Sequence, residues 1–391
     1  MDYFAESLKL HAKLKGKISV ESKVKISSRE DLSLAYTPGV AQPCKEIAAH
    51  PAKVFEYTMK GNCVAVVSDG SAVLGLGNIG ADAAIPVMEG KALLFKELAG
   101  IDAFPICVKT QQASEIVEIV RNIAPVFGGI NLEDISAPKC FQVEDALLDL
   151  GIPVMHDDQH GTAIVVLAAL LNASKVVGKD FGELKVAISG AGAAGAAIAR
   201  MLLQGKKGER VAQVTMVDSK GIIHSKREGL DFSKKKLAQL TNHSGRRGDL
   251  AQAFAGADVF IGVSAPGIVT AKMVAAMNKD AIVLAMANPT PEIMPSEASK
   301  GGARVIATGR SDFPNQVNNA LAFPGVFRGA LDAKATAINA EMKLAAAHAI
   351  AGCVASPTEQ EIVPSVLDKK VVFAVAKAVA SAARKSGVVR K

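Results

Sequence analysis

The chain has no tryptophan, only three tyrosines and only five cysteines among its 391 residues. The cysteines are scattered and none belongs to a Cys-x-x-Cys pair, which argues against a disulfide framework and against a cysteine zinc site. No apolar run approaches the ~20 residues of a membrane-spanning helix, and the longest covers Thr162–Leu171. The N-terminus carries Asp2 and Glu6 and lacks the apolar stretch of a secretory signal. We therefore expect a cytoplasmic protein with no membrane segment.

Small apolar residues dominate what the chain does contain. Hydrophobic residues make up 49% of the sequence, and 34 glycines accompany abundant alanine and valine. Such residues let helices pack closely on parallel strands, and the length is enough for two or three domains. The formal net charge of +7 comes from basic residues spread along the chain, with one short run at Lys234–Lys236. Because no nucleic-acid-binding motif accompanies them, we expect this surface to attract small anions and not nucleic acid.

Short apolar strands alternate with helices twice along the chain. The first series has predicted strands at Cys63–Ser68, Phe104–Val108, Gly129–Leu132 and Val154–Met155, and helices at Met88–Leu98, Ala113–Ile123 and Cys140–Leu150. A long buried helix that begins at Ala163 is predicted to connect this series to the second. The second series has predicted strands at Lys185–Ser189, Gln213–Val217, Val259–Gly262, Ile282–Ala285 and Val305–Ala307. This predicts an α/β fold: an N-terminal α/β domain (residues 1–161), then a doubly wound Rossmann-type domain with a helical C-terminal segment (162–391).

Two segments match the pattern Gly-x-Gly-x-x-Gly, and their surroundings distinguish them. Gly75–Gly80 is separated from the preceding strand by a turn, which favours a tight turn that needs flexible backbone. Gly190–Gly195 directly follows a predicted strand and opens the predicted helix Ala194–Leu203. Only the second segment therefore has the context of a dinucleotide-binding loop, with the pyrophosphate at a helix N-terminus.

Each glycine of the second segment has a separate predicted task. Gly190 allows the turn, Gly192 lets the backbone approach a pyrophosphate, and Gly195 permits close packing of helix on strand. The predicted loop as a whole consists of Gly190, Ala191, Gly192, Ala193, Ala194 and Gly195.

The next strand of this series ends in an acid, Asp218. An acid at this place accepts hydrogen bonds from the adenosine ribose and favours NAD. However, Ser219 and Lys220 follow at once and could hold the 2′-phosphate of NADP. The cofactor is therefore expected to be NAD or NADP.

Four carboxylates follow two predicted strands of the first series. Glu133 and Asp134 end one strand, and Asp157 and Asp158 end another. Ligands of α/β proteins gather beyond the carboxyl ends of strands, and four carboxylates there repel one another unless a cation compensates. Oxygen ligands suit magnesium or manganese. Each pair alone could equally be solvated, and Asp158 could cap a following helix.

A rival reading of the same segment is a zinc site. His156 and His160 have the spacing of two zinc ligands on a helix. However, the glutamate of the His-Glu-x-x-His motif is missing, and the pair straddles a predicted strand end. A zinc hydrolase is therefore the weaker hypothesis.

At this point the sequence resembles the malic enzymes, in the compact form found mainly in prokaryotes. The resemblance extends from about residue 8 to residue 388 and rests on several motifs in one order. These are AYTPGV (35–40), VSDGSAVLGLGNIG (67–80), PVMEGKALL (86–94), NLEDI (131–135), HDDQHGT (156–162), GAGAAG (190–195), NPT (288–290) and FPNQVNNALAFPGVFR (313–328). The resemblance implies that (S)-malate is oxidised and decarboxylated to pyruvate and CO₂, with NAD(P) and Mg²⁺ or Mn²⁺.

The resemblance also implies roles for individual residues. Lys91 would be the general base that takes the malate hydroxyl proton, which requires a depressed pKa. Tyr36 would be the general acid that protonates carbon after CO₂ leaves, and Asp157 would orient the lysine. The metal ligands would be Glu133, Asp134 and Asp158. Asn288 and Asn318, with Asn319 as the neighbouring possibility, would hold the substrate carboxylate and the nicotinamide end of the cofactor.

Two other classes of protein remain as alternatives. An amino-acid dehydrogenase also uses a catalytic lysine but needs no metal. A nucleotide-sensing protein would keep the fold alone, yet it would have no reason to keep Tyr36, Lys91 and four carboxylates together. The resemblance further implies a homodimer or higher homo-oligomer, in which Tyr36 could serve the site of a neighbouring subunit.

Overall fold

The first half of the chain is built on a four-stranded parallel sheet. The computed structural model, which describes residues 2–206 and 208–390, has strands β1 (Cys63–Ser68), β2 (Asp102–Cys107), β3 (Gly129–Leu132) and β4 (Val154–His156), in the order β2-β1-β3-β4. β1 is buried along its whole length, as a central strand covered on both faces should be. The predicted strands of this half are confirmed to within two residues.

The helices of this half surround the sheet and form an N-terminal extension. They are α1 (Tyr3–Leu14), α2 (Arg29–Ala35), α3 (Ala41–Ala49), α4 (Val54–Tyr57), α5 (Gly80–Ala99), α6 (Ala113–Ile123), α7 (Lys139–Asp145) and α8 (Asp157–Val177). α6 matches its prediction. α5 begins eight residues before the predicted Met88, and α7 ends five residues before the predicted Leu150 because a turn replaces its last part.

The helix α8 connects the two halves through the protein core. Its length and apolar composition would suffice for a membrane span, but 72% of its most apolar stretch is buried inside the protein. Asn172 fixes it by donating hydrogen bonds to the carbonyls of Ala351 (2.9 Å) and Ile362 (3.0 Å). α8 begins at Asp157, six residues before the predicted Ala163, so the acidic motif lies on its first turns.

The second half contains a doubly wound sheet. Its strands are β5 (Lys185–Ser189), β6 (Gln213–Asp218), β7 (Gly221–Ile222), β8 (Val259–Gly262), β9 (Ala281–Ala285) and β10 (Ala303–Thr308), in the order β10-β9-β8-β5-β6-β7. All pairings are parallel except that of β6 with β7. The predicted Rossmann-type fold is confirmed, with β5 and β8 at the point where the strand order reverses.

Helices of the second half cover this sheet and then return to the first half. They are α9 (Ala193–Leu202), α10 (Phe232–Leu240), α11 (Leu250–Phe254), α12 (Ala271–Ala275), α13 (Pro295–Lys300), α14 (Phe323–Asp332), α15 (Ala340–Gly352) and α16 (Lys369–Lys385). Phe323 and Phe327 of α14 pack edge-to-face on Phe95 of α5, at centroid distances of 4.7 and 5.4 Å. The helical C-terminal segment therefore holds the two halves together.

Candidate active site

Three carboxylates converge where β3 and β4 end. Glu133 and Asp134 are each 4% exposed, whereas the Asp158 side chain on the first turn of α8 is one-third exposed. One carboxylate oxygen from each of the three lies within 4.8 Å of the other two, and the backbone N–H of Asp134 donates to Asp158 Oδ2 at 2.9 Å. In residues 2–206 and 208–390 no other group of three acids, histidines or cysteines has ligand atoms this close.

The electrostatics of this cluster fit a divalent cation. Burial raises the pKa of Glu133 to about 7 and that of Asp158 to about 6, although the charge of Lys91 acts to lower both. Carboxylates in this situation resist ionisation unless a positive charge joins them. An oxygen-only set with one partly open member suits magnesium or manganese, which keep sites for water or substrate.

Lys91 lies beside these carboxylates on α5. Its side chain is 8% exposed, and its Nζ lies 2.6 Å from Asp157 Oδ2, 2.8 Å from Glu133 Oε1 and 4.3 Å from the Phe323 ring centroid. Burial lowers the pKa of Lys91, but Asp157 and Glu133 outweigh burial, and the net pKa is raised. Burial alone therefore does not supply the depressed pKa that a general base needs, because two carboxylates that the sequence does not reveal contact the lysine directly. The lowering of this pKa by a nearby cation stays a prediction.

Asp157 is fixed by contacts on three sides. It is completely buried, and its Oδ2 accepts hydrogen bonds from Lys91 and from Asn319 Nδ2 (2.5 Å). Its Oδ1 occupies the space next to Gly161, one turn along α8, where a Cβ would lie 1.9 Å away. Asn319 and Gly161 thus belong to the candidate site. In the sequence, the doubled asparagine is the only signal for Asn319, and no specific signal points to Gly161.

The two predicted asparagines lie on loops of the second half. Asn318 is the N-cap of a short 3-10 helix, and its Oδ1 accepts from the Ala320 N–H at 2.9 Å. Asn288 follows β9, and its carbonyl oxygen would lie 2.4 Å from a Cβ on Gly75. The Gly75–Gly80 turn therefore has a second task, since it brings the first half into close backbone contact with the second.

Tyr36 is not brought to this cluster within the chain. It follows α2 and is 65% exposed, in contrast to the buried Lys91. Throughout the described part of the chain, no hydrogen bond or ion pair links Tyr36 to Lys91 or to the carboxylates. The surrounding N-terminal extension also exposes large apolar side chains, among them Phe4, Leu8 and Leu34 at 72% or more.

The predicted dinucleotide loop joins β5 to α9. Gly190 has φ +111°, and a Cβ on it would lie 2.4 Å from the Val263 carbonyl oxygen. Gly192 caps α9 with open space around it, whereas a Cβ on Gly195 would lie 1.8 Å from the Gly190 carbonyl oxygen. The turn predicted for Gly190 and the close packing predicted for Gly195 are therefore observed at the N-terminus of α9, whereas the approach of a pyrophosphate to Gly192 stays a prediction.

Asp218 at the end of β6 is engaged by two cations that the sequence analysis missed. Its Oδ2 lies 2.6 Å from Arg227 Nη2 and 2.8 Å from Lys234 Nζ, and its Oδ1 accepts from the Lys220 N–H at 2.9 Å. Burial acts to raise the pKa of Asp218, but these hydrogen bonds outweigh it and lower the pKa to about 2. The carboxylate is therefore ionised and largely neutralised by its neighbours.

The two histidines do not form a zinc site with these acids. His156 is fully buried at the end of β4, whereas His160 lies on α8 with its Nε2 3.0 Å from Glu144 Oε2. Neither belongs to a group of three metal-ligand residues in the described ranges.

Comparison with known proteins gives the same family over both halves. A family model described as "Malic enzyme, N-terminal domain" matches residues 15–148, and one described as "Malic enzyme, NAD binding domain" matches residues 159–384. The crystal structure of malic enzyme from Pyrococcus horikoshii has a TM-score of 0.93 and 50% identity, over 99% of this chain and 92% of that one.

Curated relatives are similar over almost the whole chain. The bifunctional malic/malolactic enzyme of Bacillus subtilis is 55% identical over 98% of this chain and 94% of its own length. The NAD-dependent malic enzyme of Geobacillus stearothermophilus is 56% identical over 96% of this chain and 78% of its own. The NADP-dependent malic enzyme of Halomonas elongata is 47% identical over 98% of this chain and 94% of its own. This chain therefore belongs to the malic enzyme family.

Proposed function

We propose that Lys91, Asp157 and Tyr36 carry out the oxidative decarboxylation of malate in this malic enzyme. Malate becomes pyruvate and CO₂, and NAD or NADP is reduced. The observation that carries this assignment is the position of Lys91 Nζ, which contacts both Asp157 (2.6 Å) and the candidate metal ligand Glu133 (2.8 Å). A general base must lie within hydrogen-bond reach of its substrate, and the position of Lys91 beside the proposed cation site supports this role.

Glu133, Asp134 and Asp158 would hold the magnesium or manganese ion. When bound, the ion would polarise the substrate oxygen as a Lewis acid and oppose protonation of the neighbouring lysine. Glu133 and Asp158 have raised pKa values and are costly to ionise together without a further cation, which supports the assignment.

Once the Lys91 amine is neutral, it would take the proton of the malate hydroxyl. Asp157 would hold Nζ in place, and its own position would be maintained by Asn319 at 2.5 Å. NAD(P) would accept the hydride, bound by residues 190–195, Asp218, Asn288 and Asn318. After CO₂ leaves, Tyr36 would deliver the proton of its phenolic O–H to the carbon atom.

We further propose that residues 1–161 form the catalytic domain and residues 162–391 the NAD(P)-binding domain. The proposed boundary falls within α8, which belongs to the core of both parts. Placing Asp157 and Asp158 on the helix that continues into the cofactor domain would keep the metal ligands and the hydride acceptor in one rigid frame.

The protein is further proposed to act as a homodimer or higher homo-oligomer in the cytoplasm, without nucleic-acid or membrane partners. Exposed apolar side chains on the N-terminal extension suit burial against a second copy, and Tyr36 lies on this extension. All five cysteines are free thiols, as is usual in a reducing compartment.

The test is an assay with L-malate, Mn²⁺ and NAD or NADP in parallel, in which cofactor reduction and pyruvate are both measured. Matched amounts of reduced cofactor and pyruvate are expected, and a chelator should abolish both. Reduction without pyruvate would contradict decarboxylation, and activity that survives the chelator would favour a metal-free dehydrogenase. Lys91→Ala should lose about 100-fold or more in kcat, with Lys96→Ala as a matched control on the exposed side of α5.

A further inference from the structure

A cleft of about 320 Å³ lies next to the first turn of α8, outside the catalytic set. Helices from both halves of the chain contribute to it. The residues that define it are Phe141 and Glu144 of α7, His160 of α8, Arg200 of α9, Lys236 of α10 and Lys343 of α15. We call these residues the α8 cleft.

The α8 cleft contains three cations that have no anionic partner. In residues 2–206 and 208–390 no ion pair or hydrogen bond engages the charged groups of Arg200, Lys236 or Lys343. Arg200 lies over the Phe141 ring at 5.6 Å and Lys236 over the Phe232 ring at 5.9 Å, so aromatic faces hold two of them at the cleft wall. Arg200 and Lys236 are exposed, whereas Lys343 is half-buried. Burial and the charge of Arg200 lower the pKa of Lys343 despite the attraction of Glu144.

The buried acid of the cleft is already committed to other donors. Glu144 is 6% exposed, its Oε1 accepts from the His156 N–H at 2.9 Å, and its Oε2 lies 2.9 Å from Gln159 Nε2 and 3.0 Å from His160 Nε2. In the described residues it forms no hydrogen bond or ion pair with the three cations, although its charge attracts Lys343. Asp145 also lines the cleft but is exposed, and in the described part of the chain it forms no ion pair with these cations. Three cations therefore face two acids, and the cleft keeps an excess positive charge that can attract an external anion.

We propose that the α8 cleft binds a small organic dianion, a dicarboxylate or a phosphate monoester, and that the bound anion regulates the active site. The cavity volume is at the lower end for small-molecule sites, which fits a small metabolite and excludes a dinucleotide. Charged hydrogen bonds from Arg200 and Lys343 suit either carboxylate or phosphate oxygens. Leu148 and Phe232, both partly exposed at the rim, would cover the carbon part of the ligand.

The route to the active site runs through Glu144. This carboxylate holds the backbone of His156 and the side chain of Gln159, and Asp157 and Asp158 lie between them on the chain. An anion that draws Lys343 and Arg200 towards itself changes the field at Glu144 and hence the position of the first turn of α8. The regulatory part of the proposal rests on the proposed function, whereas the binding part does not.

Binding is tested by calorimetry on the full chain with Mg²⁺ and NAD(P), titrated separately with glycerol 3-phosphate and with succinate. The main variant is the double substitution Arg200→Gln/Lys343→Gln. The single substitution Lys236→Gln, at an exposed position, serves if the double variant fails to fold. Lys377→Gln, which removes one exposed charge from α16, is the matched control. The double variant should bind at least one probe about tenfold more weakly than the wild type, because two charged contacts are lost, and the control should bind normally.

The two probes and the two readouts separate the possible outcomes. Tighter binding of one probe identifies phosphate or dicarboxylate chemistry, and succinate that binds only at the active site would bind the cleft variants normally. The idea fails if neither probe saturates the wild type, or if the cleft variants bind as the control does. If the cleft is regulatory, the bound probe should change KM for malate in the wild type and in Lys377→Gln, but not in the double variant. An unchanged KM in the wild type would contradict the regulatory role and leave the binding proposal standing.

Discussion

At the scale of single residues, the position of Asp157 depends on a glycine that touches no substrate. A Cβ on Gly161 would lie 1.9 Å from Asp157 Oδ1 and 2.8 Å from its Cγ. Gly161→Ala must therefore displace this carboxylate from Lys91 and from Asn319. Because a displacement of about 1 Å near reacting groups reduces turnover by roughly 100-fold, we expect a loss of this order in kcat.

The control for this substitution is Gly352→Ala, at the end of α15, where no atom lies within 4 Å of the added methyl group. This variant should keep full activity. Thermal unfolding of both variants distinguishes a local displacement from loss of the fold. Normal kcat in Gly161→Ala would show that the site tolerates a different position of Asp157.

A second residue-scale prediction concerns the choice between NAD and NADP. Arg227 and Lys234 neutralise Asp218, which would otherwise repel a 2′-phosphate and favour the ribose of NAD. Replacing both cations with alanine should shift the ratio of kcat/KM values towards NAD by about tenfold or more, a change of about 1.4 kcal/mol. Steady-state kinetics with each cofactor measure this ratio. Lys235→Ala, an exposed neighbour, should leave it unchanged, and an equal effect there would contradict a specific role for Lys234.

Residue-level contacts show where prediction from the sequence stops. The motif around Lys91 indicates a base, but the sign of its pKa shift depends on Asp157 and Glu133, which lie 66 and 42 positions away along the chain. Likewise, the doubled asparagine at 318–319 does not show which side chain reaches Asp157. Such choices are set by tertiary packing, which local pattern does not encode.

At the scale of elements, the loop between β5 and α9 divides its tasks between two glycines. Gly195→Ala places a methyl group 1.8 Å from the Gly190 carbonyl oxygen, so the helix must move away from the strand. We expect a loss of about 1–3 kcal/mol of unfolding free energy together with weaker cofactor binding. Gly192→Ala has open space and should change stability by less than about 0.5 kcal/mol, while raising KM for the cofactor.

Denaturant unfolding and cofactor titration of the two variants measure these effects separately. The wild-type protein is the reference for both. Equal losses of stability in the two variants would show that the glycines share one structural task. A Gly192→Ala variant with normal cofactor affinity would show that the pyrophosphate does not approach this backbone.

The elements themselves were predictable to different degrees. Central strands such as Val259–Gly262 are fully buried, so their apolar runs match the strand almost residue for residue. The predicted start of α8 lies too far along the chain, because Asp157, Asp158 and Gly161 are residue types typical of turns. In the structure, tertiary contacts make them helical. β7 has only two residues, too few for any periodic pattern.

At the scale of the whole molecule, the packing of distant segments against one another could not be predicted from the sequence. The C-terminal helices return to the first half through Phe323 and Phe327, which pack on Phe95. Apolar residues that cover another domain look the same in sequence as those that cover their own. The exposure of Tyr36 was equally hidden, since a tyrosine in a turn gives no sign of which subunit it serves.

The position of Tyr36 leads to the last prediction. A single chain leaves this residue 65% exposed and without a bond to Lys91, so we expect the general acid of each site to come from a second copy. Tyr36→Phe and Lys91→Ala should each be inactive alone. In a mixed dimer, one site then has both defects and the other has an intact Tyr36 and Lys91.

Co-expression of the two variants with different tags measures this complementation. Random pairing makes half of the dimers mixed, each with one intact site, so about a quarter of wild-type activity should return. Purification through both tags isolates the mixed dimer, which should then have about half of wild-type activity. If Tyr36 served its own chain, every site in the mixture would lack one group and no activity would return. Co-expression of Lys91→Ala with Asp157→Ala gives the baseline. These two residues lie in one site of one chain, so the mixed dimer has no intact site, whichever subunit Tyr36 serves.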